Sequence, residues 1–330
     1  MSPIPKFRAA AVQAEPVWFN LDATIDVTET LVADAARQGA RLVAFPEVWL
    51  PGYPVFIWMQ DEAWQAPHRA RYADSCLEIG GAQHRRLEAI AKRHDMIVVL
   101  GFSERAGNAL YMSQMMIDAC GSTVMARRKL KPSGLEATFY SSGGPEQLKV
   151  VDTAVGRIGA LNCSEHRRPA LRHAMYTQGE QLHVASWPAF GLQPVREAVS
   201  GLLQRYDDWP RYGILPDVVS MESGACMTTT RAYAREGGLF VLAPTMTIGE
   251  AFSRSLGDEV APQLHVGAGA THIFDPRGEE LAAPFPPDQN GLLLAEIDYA
   301  QLRAVHDPDP FFERVPLADY QKRTEWGQGL

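Results

Sequence analysis

The chain has 330 residues and a formal net charge of −8, with 46% hydrophobic and 21% charged residues. That length buries a core readily, and the acidic balance argues against a nucleic-acid partner or adhesion to anionic membranes. Polar breaks are too frequent for a membrane span and the opening residues lack a signal-peptide apolar core, so the expected location is the cytoplasm.

Residues 7–13 predict a buried strand, and Asn20 predicts the N-cap of a helix with Leu21, Ile25, Thr28, Val32 and Ala35 on one face. Gly39 ends it, and 42–45 predicts the next strand. A helix near 80–94, with Leu87, Ile90 and Ala91 on one face, leads to a strand over 96–101. The texture then changes: 108–118 and 122–129 predict antiparallel strands across a turn at 119–121. Short strands at 150–152 and 157–162 follow, then a helix from near Pro169, a strand over 181–187, a helix over roughly 216–236 and a strand over 239–243. A strand at 270–274, a turn at 275–278 and a strand over 292–297 complete the pattern. Such alternation predicts mixed sheets covered by helices. With no repeat and no separating linker, 1–330 is expected to be one domain with its core over about 7–298.

Four cysteines lie far apart without a CxxC pair, which suits reduced thiols and offers no zinc pattern. The histidines are scattered, so chemistry without metal or cofactor is expected. Cys163 stands where a buried-strand pattern over 155–162 meets a polar turn. Free cysteines are commonly small buried hydrophobes. The strand–turn–helix setting raises the catalytic reading, because the turn shows the sulfur and aims the positive end of the next helix at it, lowering the thiol pKa. Cys76 and Cys226 lie in helix-like contexts and Cys120 in a turn, so these three read as structural.

Glu47 closes 41–47 and precedes mostly apolar and aromatic residues. Either it is a solvated loop glutamate or it is partly desolvated, with its pKa raised toward general-base values. Lys129 closes 123–129, with Arg127 and Lys131 on the same face. A thiol, a carboxylate and an amine at three strand ends are the components of covalent acyl transfer.

Phe45-Pro-Glu47 with Pro51-Gly-Tyr-Pro54, Arg128-Lys129-Leu-Lys-Pro132 and Leu161-Asn-Cys163-Ser-Glu165 occur in that order. Together with Leu110-Tyr-Met-Ser-Gln114, His183-Val-Ala-Ser-Trp-Pro188 and Thr230-Arg-Ala-Tyr-Ala-Arg-Glu236, they resemble the nitrilase branch of the carbon–nitrogen hydrolase superfamily, from about 8 to about 297. The resemblance implies an α-β-β-α sandwich protomer pairing into an α-β-β-α-α-β-β-α dimer, with larger spirals beyond it. The 299–330 extension is then expected at an oligomer contact. It also implies Glu47 as general base, Lys129 as stabiliser of the intermediate and Cys163 as nucleophile, with Glu136 in support. Tyr53, Ser164 and Trp187 are candidate pocket residues, with Trp49 and Phe190 as further aromatics.

The activity implied is hydrolysis of a small nitrile to its acid and ammonia through a thioimidate and a thioester, with no cofactor or metal. An amidase or carbamoylase with the same triad, a nitrile-hydrating enzyme releasing mainly amide, and a catalytically silent assembly protein are the alternatives. Ser164 replaces the usual tryptophan after the nucleophile, and Leu135, Ala137 and Met112 also depart from the pattern, as does 191–228.

Overall fold

The structure, a computed structural model, describes residues 4–59, 61–189, 223–256 and 267–305. In chain order its regular elements begin with β1 (Phe7–Ala14), α1 (Leu21–Arg37) and β2 (Ala40–Ala44). Helices α2 (Glu62–Asp74) and α3 (Ala82–Arg93) precede β3 (Ile97–Ala106), β4 (Ala109–Ile117) and β5 (Thr123–Arg128). After β6 (Val151–Thr153) and β7 (Gly156–Asn162) come α4 (Pro169–Tyr176), β8 (Leu182–Ser186), α5 (Ser223–Gly237), β9 (Phe240–Ala243) and β10 (Thr245–Met246). The remainder is α6 (Glu250–Leu256), β11 (His272–Phe274), β12 (Gly291–Ile297) and α7 (Ala300–Val305).

One sheet runs β10-β1-β2-β3-β4-β5, with β12 antiparallel to β1; the other runs β11-β9-β8-β7-β6. Strand pleating divides their side chains between two faces. Ala9, Ala11, Leu42, Ala44, Ile97 and Val99 meet Ile158, Ala160, Val184 and Leu242 between the sheets. The alternate residues Ala10, Val12, Val43, Val98 and Leu100 pack under Ile25, Val32, Tyr72, Leu87 and Ile90 of α1, α2 and α3. On the far side Leu161, Ala185 and Val241 pack under Met175 of α4 and Cys226, Met227, Tyr233 and Ala234 of α5. Four layers result, in the order α-β-β-α.

The N-cap expectation at Asn20 holds, since its Oδ1 accepts the Ala23 N–H at 3.0 Å. Helix α2 escapes the sequence pattern because it buries only Gln65 and Tyr72 and carries Pro67 inside it. The first part of the helix expected over 216–236 lies outside the described residues, as do Phe190 and most of 191–228. Among the described residues, no helix is long and apolar enough to cross a membrane.

Candidate active site

Parallel strands in open α/β sheets present loops at their carboxyl ends, where sites gather. Here the ends of β2, β7 and β8 converge and are pinned across the two sheets. The Ser186 hydroxyl donates to the Phe45 carbonyl at 3.0 Å, and the Glu47 N–H donates to the Trp187 carbonyl at 3.1 Å. Gln114 on β4 donates to the Leu161 carbonyl and to Ser186 Oγ, at 3.2 and 3.0 Å.

Glu47 owes its place to a glycine. The loop after β2 lies so close on β3 that a Cβ at Gly101 would stand 2.5 Å from the Pro46 carbonyl oxygen and 2.9 Å from the Glu47 Cα. Only glycine allows that approach. The next residue, Val48, takes a left-handed φ of 49°, and the Glu47 side chain is fully buried.

Lys129 follows β5, held by its N–H to the Met112 carbonyl at 2.7 Å and by its own carbonyl, which accepts the Gly143 N–H at 2.9 Å. Its buried ammonium donates to Glu47 Oε1 at 2.9 Å and to Glu136 Oε2 at 2.8 Å. Glu136 sits in a short 3-10 turn, Gly134–Thr138, and accepts the Ser133 N–H at 2.6 Å and the Tyr53 hydroxyl at 2.7 Å. Trp58 Nε1 donates to that hydroxyl at 3.1 Å. Every oxygen of Glu136 is thus engaged, whereas Glu47 Oε2 is buried without a hydrogen-bond partner among the described residues. A buried acceptor left open in this way is a place for a proton or for an incoming polar atom.

Cys163 ends β7 with φ at 43° and opens a 3-10 turn, Cys163–Arg167. That left-handed elbow is costly for a non-glycine residue and sits where the chain changes from strand to turn. Glu165 holds it. Its oxygens accept the Asn162 N–H at 2.8 Å, the Leu130 N–H at 2.9 Å and a two-pronged contact from Arg127 at 2.9 and 2.7 Å. The nucleophile turn and the residue after Lys129 are therefore bound to one carboxylate. Sequence reasoning missed this brace; the Asn162-to-Glu165 spacing of a capping box was the available signal. Ser164 Oγ hydrogen-bonds Ser133 Oγ, linking the same two segments from the other side.

The electrostatics correct one expectation. Cys163 is buried, not displayed at a rim, and burial with the nearby Glu47 charge pushes its thiol well above the usual value, opposed by Lys129. The turn after it is 3-10, and α4 begins only at Pro169. Burial also raises Glu47, to about 8, against the attraction of Lys129 and with the repulsion of Glu136. Lys129 moves upward despite burial, because two carboxylates flank it. Burial raises Glu165 in turn, but Arg127 and two backbone donors hold it below the usual carboxylate range.

Of the candidate pocket residues, Tyr53 and Ser164 lie against this cluster. The Trp187 ring is stacked on His166 with its Nε1 donating to Thr230 at 2.9 Å, and its backbone carbonyl accepts the Glu47 N–H. Trp49 is packed toward α1, its Nε1 donating to Thr28 Oγ1 at 2.8 Å. Among the described residues, no group of three or more His, Cys, Asp or Glu is placed to hold a metal ion.

Two facing sheets between helical layers, with a thiol, an ammonium and two carboxylates buried where strand ends converge, define a carbon–nitrogen hydrolase sandwich. The family model described as carbon-nitrogen hydrolase matches residues 8–307. The chain is 41% identical to a nitrilase of Pseudomonas syringae pv. syringae (strain B728a), covering 93% of this chain and 87% of that one. It is 39% identical to an aliphatic nitrilase of Rhodococcus rhodochrous, over 94% of this chain and 77% of that one. A solved carbon-nitrogen hydrolase from Helicobacter pylori G27 shares the fold, with a TM-score of 0.68 at 18% identity, covering 93% of this chain and 94% of that one. The chain belongs to the carbon–nitrogen hydrolase family, in its nitrilase branch.

Proposed function

We propose that this chain is a nitrilase, converting a small organic nitrile to the carboxylic acid and ammonia with Cys163 as nucleophile. The observation that carries the proposal is the buried Lys129 ammonium held between Glu47 and Glu136 beside a thiol on a left-handed elbow. Similarity to nitrilases over nearly the whole chain supports the substrate class.

Because the thiol is held protonated, attack needs a base on the spot. Glu47, raised to about 8, is matched to that task. As sulfur bonds to the nitrile carbon, the thiol proton passes through Glu47 to the nitrogen, giving a thioimidate. Water then adds, its proton taken by Glu47, while the Lys129 ammonium faces the charge developing at the tetrahedral centre. Loss of ammonia leaves a thioester, and a second water releases the acid and restores the thiol. Glu136 is a positioning residue that keeps Lys129 charged and in place. If the tetrahedral centre expels sulfur before nitrogen, the amide leaves instead.

A single catalytic domain acting as a self-associated particle completes the proposal, with the cytoplasm as its place in keeping with four free cysteines. The test is a panel of nitriles with matching amides, scored for ammonia, acid and amide. Ammonia and acid from nitriles, with a covalent adduct on Cys163 in intact-mass spectra, support the reading. Turnover of amides alone makes the chain an amidase.

A further inference from the structure

Beneath the Cys163 elbow runs a chain of buried polar groups that the hydrolytic scheme does not use. His166 Nδ1 stands 2.7 Å from the Cys163 carbonyl oxygen, and His166 Nε2 stands 3.0 Å from His183 Nε2. His183 Nδ1 lies 2.6 Å from Glu180 Oε1, and Glu180 Oε2 accepts the Tyr233 hydroxyl at 2.7 Å. The chain thus leads from the nucleophile turn through β8 to α5, and all four side chains are buried.

Their partners fix the hydrogens. A carbonyl only accepts, so His166 Nδ1 carries a hydrogen. Burial drives both imidazoles well below the usual histidine range, so each is neutral with one hydrogen. His166 Nε2 is therefore bare, and His183 Nε2 carries the hydrogen between them. His183 Nδ1 is then bare too, and its contact with Glu180 holds only if that carboxyl is protonated. Burial pushes Glu180 up to about 8, although the Tyr233 hydroxyl and the Gly159 N–H favour its charged form.

Other polar groups pack around the chain. The Arg127–Glu165 pair acts on both histidines, and Arg172 donates to the His166 carbonyl at 2.9 Å. The Tyr176 ring meets Tyr233 at 4.8 Å, with its hydroxyl toward Glu236. Trp187 covers the remaining face of His166.

We propose that this chain is a proton-gated positioning device for the nucleophile, in which His166 steadies the Cys163 carbonyl only while Glu180 holds its proton. When one proton leaves, the Glu180 hydrogen passes to His183 Nδ1 and the His183 Nε2 hydrogen passes to His166 Nε2. The His166 Nδ1 hydrogen is the one lost, taken by water when the Cys163 turn opens locally. Both rings exchange tautomers, and Cys163 loses its side-chain donor. His166, His183 and Glu180 are positioning residues, since none is placed to touch the substrate.

Histidine-selective 15N labelling reads imidazole tautomers without any substrate, and His166→Phe assigns the His166 signals. In the unmodified protein, His166 and His183 should exchange tautomers together near pH 8. Glu180→Gln presents an amide N–H to His183 Nδ1 that cannot titrate, so the original tautomers should persist above that pH. Tyr233→Phe removes a donor that favours the carboxylate, so the transition should move upward.

The kinetic part rests on the nitrilase reading. Above the transition kcat should lie about fivefold to tenfold below that of Glu180→Gln at the same pH, the worth of one hydrogen bond, with KM nearly equal. Below the transition the two proteins should have the same kcat, since any change with the state of Glu47 is common to both. Tautomers that never exchange, or that exchange at the same pH in Glu180→Gln and Tyr233→Phe, overturn the proposal. So does a kcat indifferent to the exchange. A tautomer switch in a protein that turns over no nitrile supports the relay and counts only against the nitrilase reading.

Discussion

Lys129→Met is the perturbation that tests the site's electrostatics most directly. Methionine keeps much of the length and bulk of the lysine chain but removes the charge that holds Glu47 and Glu136 at 2.9 and 2.8 Å. Two buried carboxylates would then face each other without a cation. Removing one partner from a buried ion pair costs about 3–5 kcal/mol, and the unpaired acids answer by binding protons. Urea unfolding at neutral pH and constant protein concentration should show a loss of that size.

The deficit should shrink on acidification. A carboxyl whose folded pKa is raised contributes stability that is full below its unfolded pKa, about 4.3, and is lost as pH rises through the folded value. Adding Glu136→Gln to Lys129→Met removes one of the two acids and should restore at least about 1 kcal/mol. A Lys129→Met protein within about 0.5 kcal/mol of the unmodified one would behave like a surface substitution and refute the buried cluster.

Cys163→Ala and Cys163→Gly should both abolish ammonia release, and the glycine variant should be the more stable by about 1 kcal/mol, since φ is 43° there; activity in either one defeats the covalent scheme. Gly101→Ala should lower kcat about 100-fold in a folded protein, because its Cβ forces the Glu47 backbone away; normal kcat would mean that Glu47 needs no such placement. The acid limb of kcat/KM should have its inflection near 8 and vanish in any residual activity of Glu47→Gln, where a glutamine cannot take the proton; an unchanged limb assigns it elsewhere. Light scattering should find a dimer or larger particle whose specific activity falls on dilution, and a fully active monomer would contradict the proposed assembly.

The strands were legible because their signal is local: β1, β2 and β3 are buried on both faces, and each reads as a short, mostly apolar run. Asn20 announced α1 for the same reason, as a cap needs only the residues beside it. Helix α2 was not legible because it rests on the fold more than on its own apolar face. At the site, Glu47, Lys129 and Cys163 each stood at a visible strand end, but their meeting depends on contacts 82 residues apart that only the resemblance supplied. The Arg127–Glu165 brace and the His166–His183–Glu180 chain were invisible for another reason. Charged and titratable residues are usually solvated, and burial is a property of the assembled sandwich.

The same burial explains why the thiol expectation reversed. An exposed cysteine at a helix end would rest as a thiolate, reactive toward any electrophile. Closing the two sheets removes water from Cys163 and Glu47 together and raises both. With Lys129 charged against the engaged Glu136 carboxylate, a neutral thiol and a protonated Glu47 are the resting form below about pH 8 and leave the cluster without net charge, whereas the base form of Glu47 that attack requires places a further negative charge in a dry site. The cluster therefore resists losing a proton to solvent. A nitrile changes the balance, because its nitrogen accepts the proton as its carbon accepts sulfur, so the attack moves charge within the site and expels none. Low reactivity at rest and competence with substrate bound then share one physical origin: a proton exit that only the substrate provides.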